Sequence, residues 1–221
     1  MTPADERPHP PPPGADTQWE ESWWFDFVAP DGSLAGFARL GLWPAAGLAW
    51  YWAALVGDDR PYLLVRDDEV PAPRPGRTEI RAEGLWSSLE CETPFDHWTV
   101  GLEAFAVALD DPDEAWAGER GDRIGLGFDL EWEATGPADG GLSSYRQACR
   151  VSGDILVGPA ERLVFDGTGW RAHRWGPADL PNAAPPPTDA RRARYRAPIL
   201  AGGQRYLFEL DEAAGWVTSR T

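Results

Sequence analysis

Apolar residues alternate with polar ones along much of the chain at the two-residue period of strands. The cleanest case spans residues 123–134. Ile124, Leu126, Phe128, Leu130 and Trp132 share one face; Gly125, Gly127, Asp129, Glu131 and Glu133 share the other. That pattern predicts a half-buried antiparallel strand. Residues 19–29 behave similarly, with Trp23, Phe25 and Phe27 opposite Ser22, Trp24, Asp26 and Val28. Residues 48–56 are apolar on both faces: Leu48, Trp50, Trp52, Ala54 and Val56 on one, Ala49, Tyr51, Ala53 and Leu55 on the other. Such a strand must be covered on both sides.

Turn chemistry separates these runs. Pro30-Asp31-Gly32-Ser33, Trp43-Pro44-Ala45-Ala46-Gly47 and Asp58-Asp59-Arg60-Pro61 each reverse the chain. Residues 79–83 and 85–92 read as short strands bent at Gly84. Residues 96–109 are Ala-rich, but their strand neighbours favour β over helix. Residues 110–122 form an acidic excursion with room for one helical turn. Residues 145–157 and 163–165 are strands, and Asp166-Gly167-Thr168-Gly169 signals a turn before a continuation at 170–175. Residues 181–198 look irregular, and 205–210 with 215–218 suggest a closing hairpin. About a dozen strands and little helix predict an all-β fold, an antiparallel lipocalin-like β-barrel or β-sandwich. Residues 1–17 are Pro-rich and read as a disordered arm; residues 18–221 form a single β domain.

Composition narrows the function. The formal net charge is −16, which disfavours nucleic acid and anionic membranes as partners. Cys91 and Cys149 show no metal or disulfide spacing, and no secretory signal precedes them, so a reduced cytoplasmic protein is expected. Six of the 13 Trp fall within residues 19–56. That much indole suggests an aromatic cavity for an apolar small molecule, walled by Trp23, Trp24, Trp50 and Trp52. A second possibility is that indoles are simply buried between sheets.

Familiar enzyme signatures are missing: no GxSxG elbow, P-loop, dinucleotide GxGxxG or HExxH occurs. His9, His97 and His173 have no metal-ligand spacing, so neither a metal nor any other cofactor is expected. Three carboxylates sit within apolar strands: Glu21, Asp26 and Glu103. Burial would keep such an acid neutral and able to donate a proton, while Trp faces stabilise a nearby cation. The structural alternative, the more common one, is that Glu21 and Asp26 face solvent and that Glu103 pairs with an arginine such as Arg39. Asp96-His97-Trp98 is a second cluster, with His97 and Trp98 as candidates. In Gly169-Trp-Arg-Ala-His-Arg-Trp-Gly176, strand geometry puts Arg171, His173 and Trp175 on one face. That row can line a pocket or guard an edge.

The segments ESWWFDFVAPDGSLAGFARLGLWP, LAWYWAALV, LECETPFDHWTVGLEAFAVALDDP, GFDLEWEATG and GWRAHRWG together resemble the hydroxyneurosporene synthase (carotenoid hydratase)-like superfamily. That superfamily of lipocalin-type proteins includes fungal polyketide cyclases of the Diels–Alderase kind, and the likeness is to an actinobacterial branch. It covers residues 19–180. Its most specific part is a Gly-x-x-Arg-Asp-His-Ser-Trp-Gly element, which Arg171, His173, Trp175 and Gly176 match. Ala172 stands where the family has Asp, and Arg174 where it has Ser. The resemblance implies an extended apolar substrate, such as an isoprenoid, polyketide or steroid-like molecule. It also implies hydratase or cyclase chemistry without cofactor; a non-catalytic carrier or sensor is the alternative. Members often carry two tandem β domains, for which this chain is short.

Overall fold

The computed structural model describes residues 1–15, 19–118, 120–177, 194–201, 204–211 and 215–220. Its strands are β1 (Trp19–Val28), β2 (Leu34–Trp43), β3 (Leu48–Gly57), β4 (Tyr62–Pro71), β5 (Ile80–Ala82), β6 (Leu85–Thr93) and β7 (His97–Leu109). They continue as β8 (Asp122–Ala134), β9 (Asp139–Gly140), β10 (Ser144–Val157), β11 (Glu161–Pro177), β12 (Arg196–Ala201), β13 (Gln204–Asp211) and β14 (Gly215–Arg220). No helix among the described residues is long and apolar enough to cross a membrane.

Antiparallel pairing runs β4-β3-β2-β1-β11-β10-β8-β7, and β7 returns to β4. The sheet therefore closes into a lipocalin-like barrel with no open edge along that ring. Closure uses three pairs, Tyr62 with Leu109, Leu63 with Ala108 and Leu64 with Val107. The first half of β7 pairs instead with β6, against which β5 folds back at Gly84, whose φ is +73°. The Ala-rich run is thus strand, as its neighbours suggested.

The alternating faces sort as the sequence implies. Trp23, Phe25, Phe27, Tyr51, Leu55, Trp98, Phe128, Leu130 and Trp132 point into the barrel. Phe25 meets the edge of Trp132 at 5.2 Å, and Phe27 meets Phe128 at 5.5 Å and Phe165 at 5.1 Å. These rings touch across the axis, so the middle of the barrel is packed where a Trp-walled hollow was expected. Phe37, Trp50, Trp52, Ala54 and Val56 point outward, and the β12–β14 sheet covers them with Ile199, Phe208 and Trp216. This second cover explains why β3 is apolar on both faces.

Two local expectations are corrected. Asp166-Gly167-Thr168-Gly169 is not a turn; β11 runs straight through it. A side chain at Gly167 would begin 2.3 Å from the Val28 carbonyl, and one at Gly169 would begin 1.9 Å from the Asp26 carbonyl. The glycines are needed because β1 passes too close for any Cβ. Residues 196–198, expected to be irregular, open β12; residues 181–193 lie outside the described residues.

Residues 1–15 do not form a free arm. A 3₁₀ turn at Pro3–Glu6 leads the segment across the end of the barrel where β1, β7 and β10 begin and β11 finishes. Polar contacts hold it there, which is why no apolar periodicity announced it.

Candidate functional site

The barrel mouth under this segment gathers the polar groups that the interior excludes. β11 turns Arg171, His173 and Trp175 inward on alternate residues, as their spacing implied. β10 adds Tyr145 and Gln147, which face His173 and Arg171 in register. β1 adds Glu21 and Trp23, which face Trp175 and His173.

Glu6 descends into this ring and is 2% exposed. Its carboxylate accepts from Arg171 Nη1 at 3.1 Å and Nη2 at 2.9 Å, from Trp98 Nε1 at 2.6 Å and from the Phe95 amide at 3.2 Å. Arg171 also donates to Tyr145 Oη at 3.0 Å and to the Gln147 side-chain oxygen. Its guanidinium lies 5.7 Å from the Trp98 ring centroid and 5.2 Å from that of Tyr145. A two-pronged guanidinium, an indole N–H and a backbone N–H converging on two oxygens form a complete carboxylate receptor. Arg171 Nε and Trp23 Nε1 are buried donors that meet no acceptor among the described residues.

A second group adjoins it. Glu21 is 1% exposed and accepts the His9 backbone amide at 2.8 Å. Glu21 Oε1 lies 2.7 Å from His9 Nδ1 and 2.8 Å from His173 Nε2. The far nitrogen of His173, Nδ1, donates to the Asp5 carbonyl oxygen at 2.9 Å. His173 stacks on Trp23 at 4.4 Å, and His9 on Trp175 at 4.0 Å. Burial pushes the Glu21 carboxyl up to about 8, against the lowering pull of the His9 amide. Burial also holds His173 well below the usual imidazole range, so its ring is neutral at pH 7.

The other candidates lie elsewhere. Asp26 is buried but on the outer face, accepting from Trp24 Nε1 and the Trp170 amide, each at 2.8 Å. Burial raises its carboxyl to about 6. It borders a groove of about 560 Å³ between the β1–β2 turn, β11 and the C-terminal sheet, near Trp170, Arg194 and Trp216. Glu103 is exposed, because even its strand-mates Trp98, Val100 and Leu102 take the inner face. His97 sits half-buried on the outside of β7, with Nε2 3.5 Å from a Glu131 oxygen. Asp96 makes no hydrogen bond to it among the described residues. Trp98 and Trp23 point inward, whereas Trp24, Trp50 and Trp52 point outward, so the four indoles proposed for one cavity split between two faces. The outward rings do stabilise a cation, but it is the chain's own: the Arg39 guanidinium lies 5.9, 4.9 and 5.6 Å from the Trp24, Trp50 and Trp52 centroids.

Sequence reasoning missed Glu6 and His9 and placed both in a solvated tail. The available signal was indirect. An arginine facing the inside of an apolar strand needs an acid, and the inward-facing Glu21 of β1 is engaged by His173 and His9 instead of Arg171.

Comparisons with known proteins relate the chain to others. One solved structure, of a protein from Nitrosomonas europaea provisionally described as an AttH, is similar over 95% of this chain and 67% of that one. The two share 14% identity with a TM-score of 0.46. No curated protein matches the chain. A family profile matches residues 2–185, and so takes in the N-terminal segment as well as the barrel. The chain belongs to that family, described as "Domain of unknown function (DUF7064)".

Proposed function

We propose that the barrel mouth binds an elongated apolar molecule that ends in a carboxylate, and that Glu6 holds the place of that carboxylate. The observation that carries this reading is the Arg171–Trp98–Phe95 receptor closed around the Glu6 side chain. Glu6 belongs to a segment attached by polar contacts, not to the barrel. When the segment lifts, Arg171, Trp98, Tyr145, Trp23 and Trp175 offer a cationic head-group site with aromatic walls. The unmet donors Arg171 Nε and Trp23 Nε1 suit a ligand that brings more oxygens than Glu6 does. The packed barrel centre limits the apolar part to the mouth and the space the segment vacates. The resemblance to enzymes of isoprenoids and polyketides supports the ligand class. Hydratase or cyclase chemistry would fall to Glu21, the one proposed acid that is both buried and inside the mouth.

Intrinsic tryptophan fluorescence tests this with decanoate and decanol as probes. Glu6→Ala removes the internal competitor, so decanoate should bind the variant at least about tenfold more tightly than the wild type. Decanol, lacking the charge, should show no such gain. Equal gains for both probes, or no response to decanoate in either protein, would end the proposal.

A further inference from the structure

The His9–Glu21–His173 group poses a problem of hydrogen positions. The Asp5 carbonyl oxygen only accepts, so His173 Nδ1 carries the hydrogen. The neutral ring then turns a lone pair on Nε2 toward Glu21 Oε1 at 2.8 Å. His9 turns Nδ1 toward the same oxygen at 2.7 Å, while its Nε2 lies 3.7 Å from Asp5 Oδ1. Two imidazoles are thus aimed at one carboxylate, and Asp5 backs both. Something positive must stand between the Nε2 lone pair and the Glu21 oxygen. A proton on Glu21 can do so; so can a metal ion.

We infer that His9 Nδ1, His173 Nε2 and a Glu21 carboxylate oxygen form a site for a divalent transition-series cation, Zn²⁺ in type. The three ligand atoms all lie within 4.8 Å of one another. Bonds of about 2.0–2.1 Å in a tetrahedral site put ligand atoms roughly 3.4 Å apart, so the two nitrogen–oxygen gaps of 2.7 and 2.8 Å would each open by about 0.6–0.7 Å. Two imidazoles and one carboxylate suit Zn²⁺, Fe²⁺, Ni²⁺ or Cu²⁺, whereas Ca²⁺ and Mg²⁺ seek oxygen ligands. The outer contact of His173 matches that of a metal-bound histidine, whose second nitrogen donates to a carbonyl or carboxylate, and Asp5 lies 3.7 Å from the second nitrogen of His9. Stacking on Trp23 and Trp175 fixes both ring planes. Charge also balances: the dication meets Glu21 in the site and Asp5 beside it. Three protein ligands leave a fourth position for water or a bound molecule. His9 comes from the N-terminal segment and the other two from the barrel, so the ion would also fasten the segment down. This goes beyond the carboxylate-binding reading and does not depend on it, because the titration below uses no organic ligand.

The test is titration of the chelator-treated full chain with Zn²⁺, read by a competing chromogenic chelator, with Co²⁺ visible spectra as a second readout. One Zn²⁺ per chain should bind, unaffected by millimolar Ca²⁺. His9→Ala leaves the barrel residues intact and should weaken binding by at least about tenfold. His97→Ala, on the far side of β7, should leave it unchanged. No stoichiometric uptake, uptake that His9→Ala does not weaken, or loss on His97→Ala would each overturn the site.

Discussion

Two arginines are buried against indole rings on opposite sides of one sheet. Arg171 faces inward, and the chain start brings it a carboxylate. Arg39 faces outward, and the chain end covers it with a sheet while Trp24, Trp50 and Trp52 surround its charge. Burial lowers Arg39 to about 10, yet it stays protonated at neutral pH. The contrast separates two uses of aromatic residues. Outside, ring faces and a cation satisfy one another, and the result is packing. Inside, two guanidinium N–H groups, the Trp98 indole and the Phe95 amide converge on the two Glu6 oxygens, and the result is a charge-assisted anchor for the N-terminal segment.

The largest difference should come from replacing each arginine by methionine and measuring chemical denaturation. Arg171→Met strands the buried Glu6 carboxylate and should cost about 3–5 kcal/mol. Arg39→Met removes a charge that ring faces had to solvate and puts an apolar side chain among apolar neighbours. It should change stability by less than about 1 kcal/mol. Similar losses at both positions would erase the distinction.

A middle-sized effect should appear with pH, in buffer containing a metal chelator. Glu21 has a folded pKa of about 8 against an ordinary value near 4.5, so the folded state holds its proton longer. The stability this contributes is present in full below about 4.5 and is lost as pH rises toward 8. His9 and His173 have lowered values and act in the opposite sense, an effect that fades within about a pH unit above the ordinary imidazole value of 6.5. Asp26 has finished titrating in the fold near pH 6. Between pH 7 and 8 the decline therefore belongs chiefly to Glu21 and should amount to about 1 kcal/mol. Glu21→Gln should flatten it; an unchanged slope would place the proton elsewhere. The smallest effect should come from Glu103→Gln, whose side chain lies in neither region. Its stability should stay within about 0.5 kcal/mol of the parent.

Much of the barrel could be read from alternation, because each strand has one face in the core. Residues 123–134 and 48–56 sorted correctly, and so did the row of Arg171, His173 and Trp175. Glycine was harder, since it serves both turns and close approach. Gly167 and Gly169 looked like a turn, and only the passing carbonyls of Val28 and Asp26 explain them. Local spacing also could not reveal which strands face each other across the barrel. Trp23 and Trp50 looked like partners because they are near in sequence, although they lie on opposite faces. The mouth was least legible. Glu6 and His9 reach it on a segment without periodicity, and their partners lie 165 and 12 residues away.

The seam between β4 and β7 bears on how the molecule breathes. Tyr62, Leu63 and Leu64 are zipped to Leu109, Ala108 and Val107, while β10 and β11 share a ladder from Ser144 to Val157. Cooperative opening begins where the fewest bonds must be surrendered. The cylinder should therefore unroll at this short zipper first. Amides of residues 62–64 would then trade hydrogen for deuterium well before those at the centre of the long hairpin.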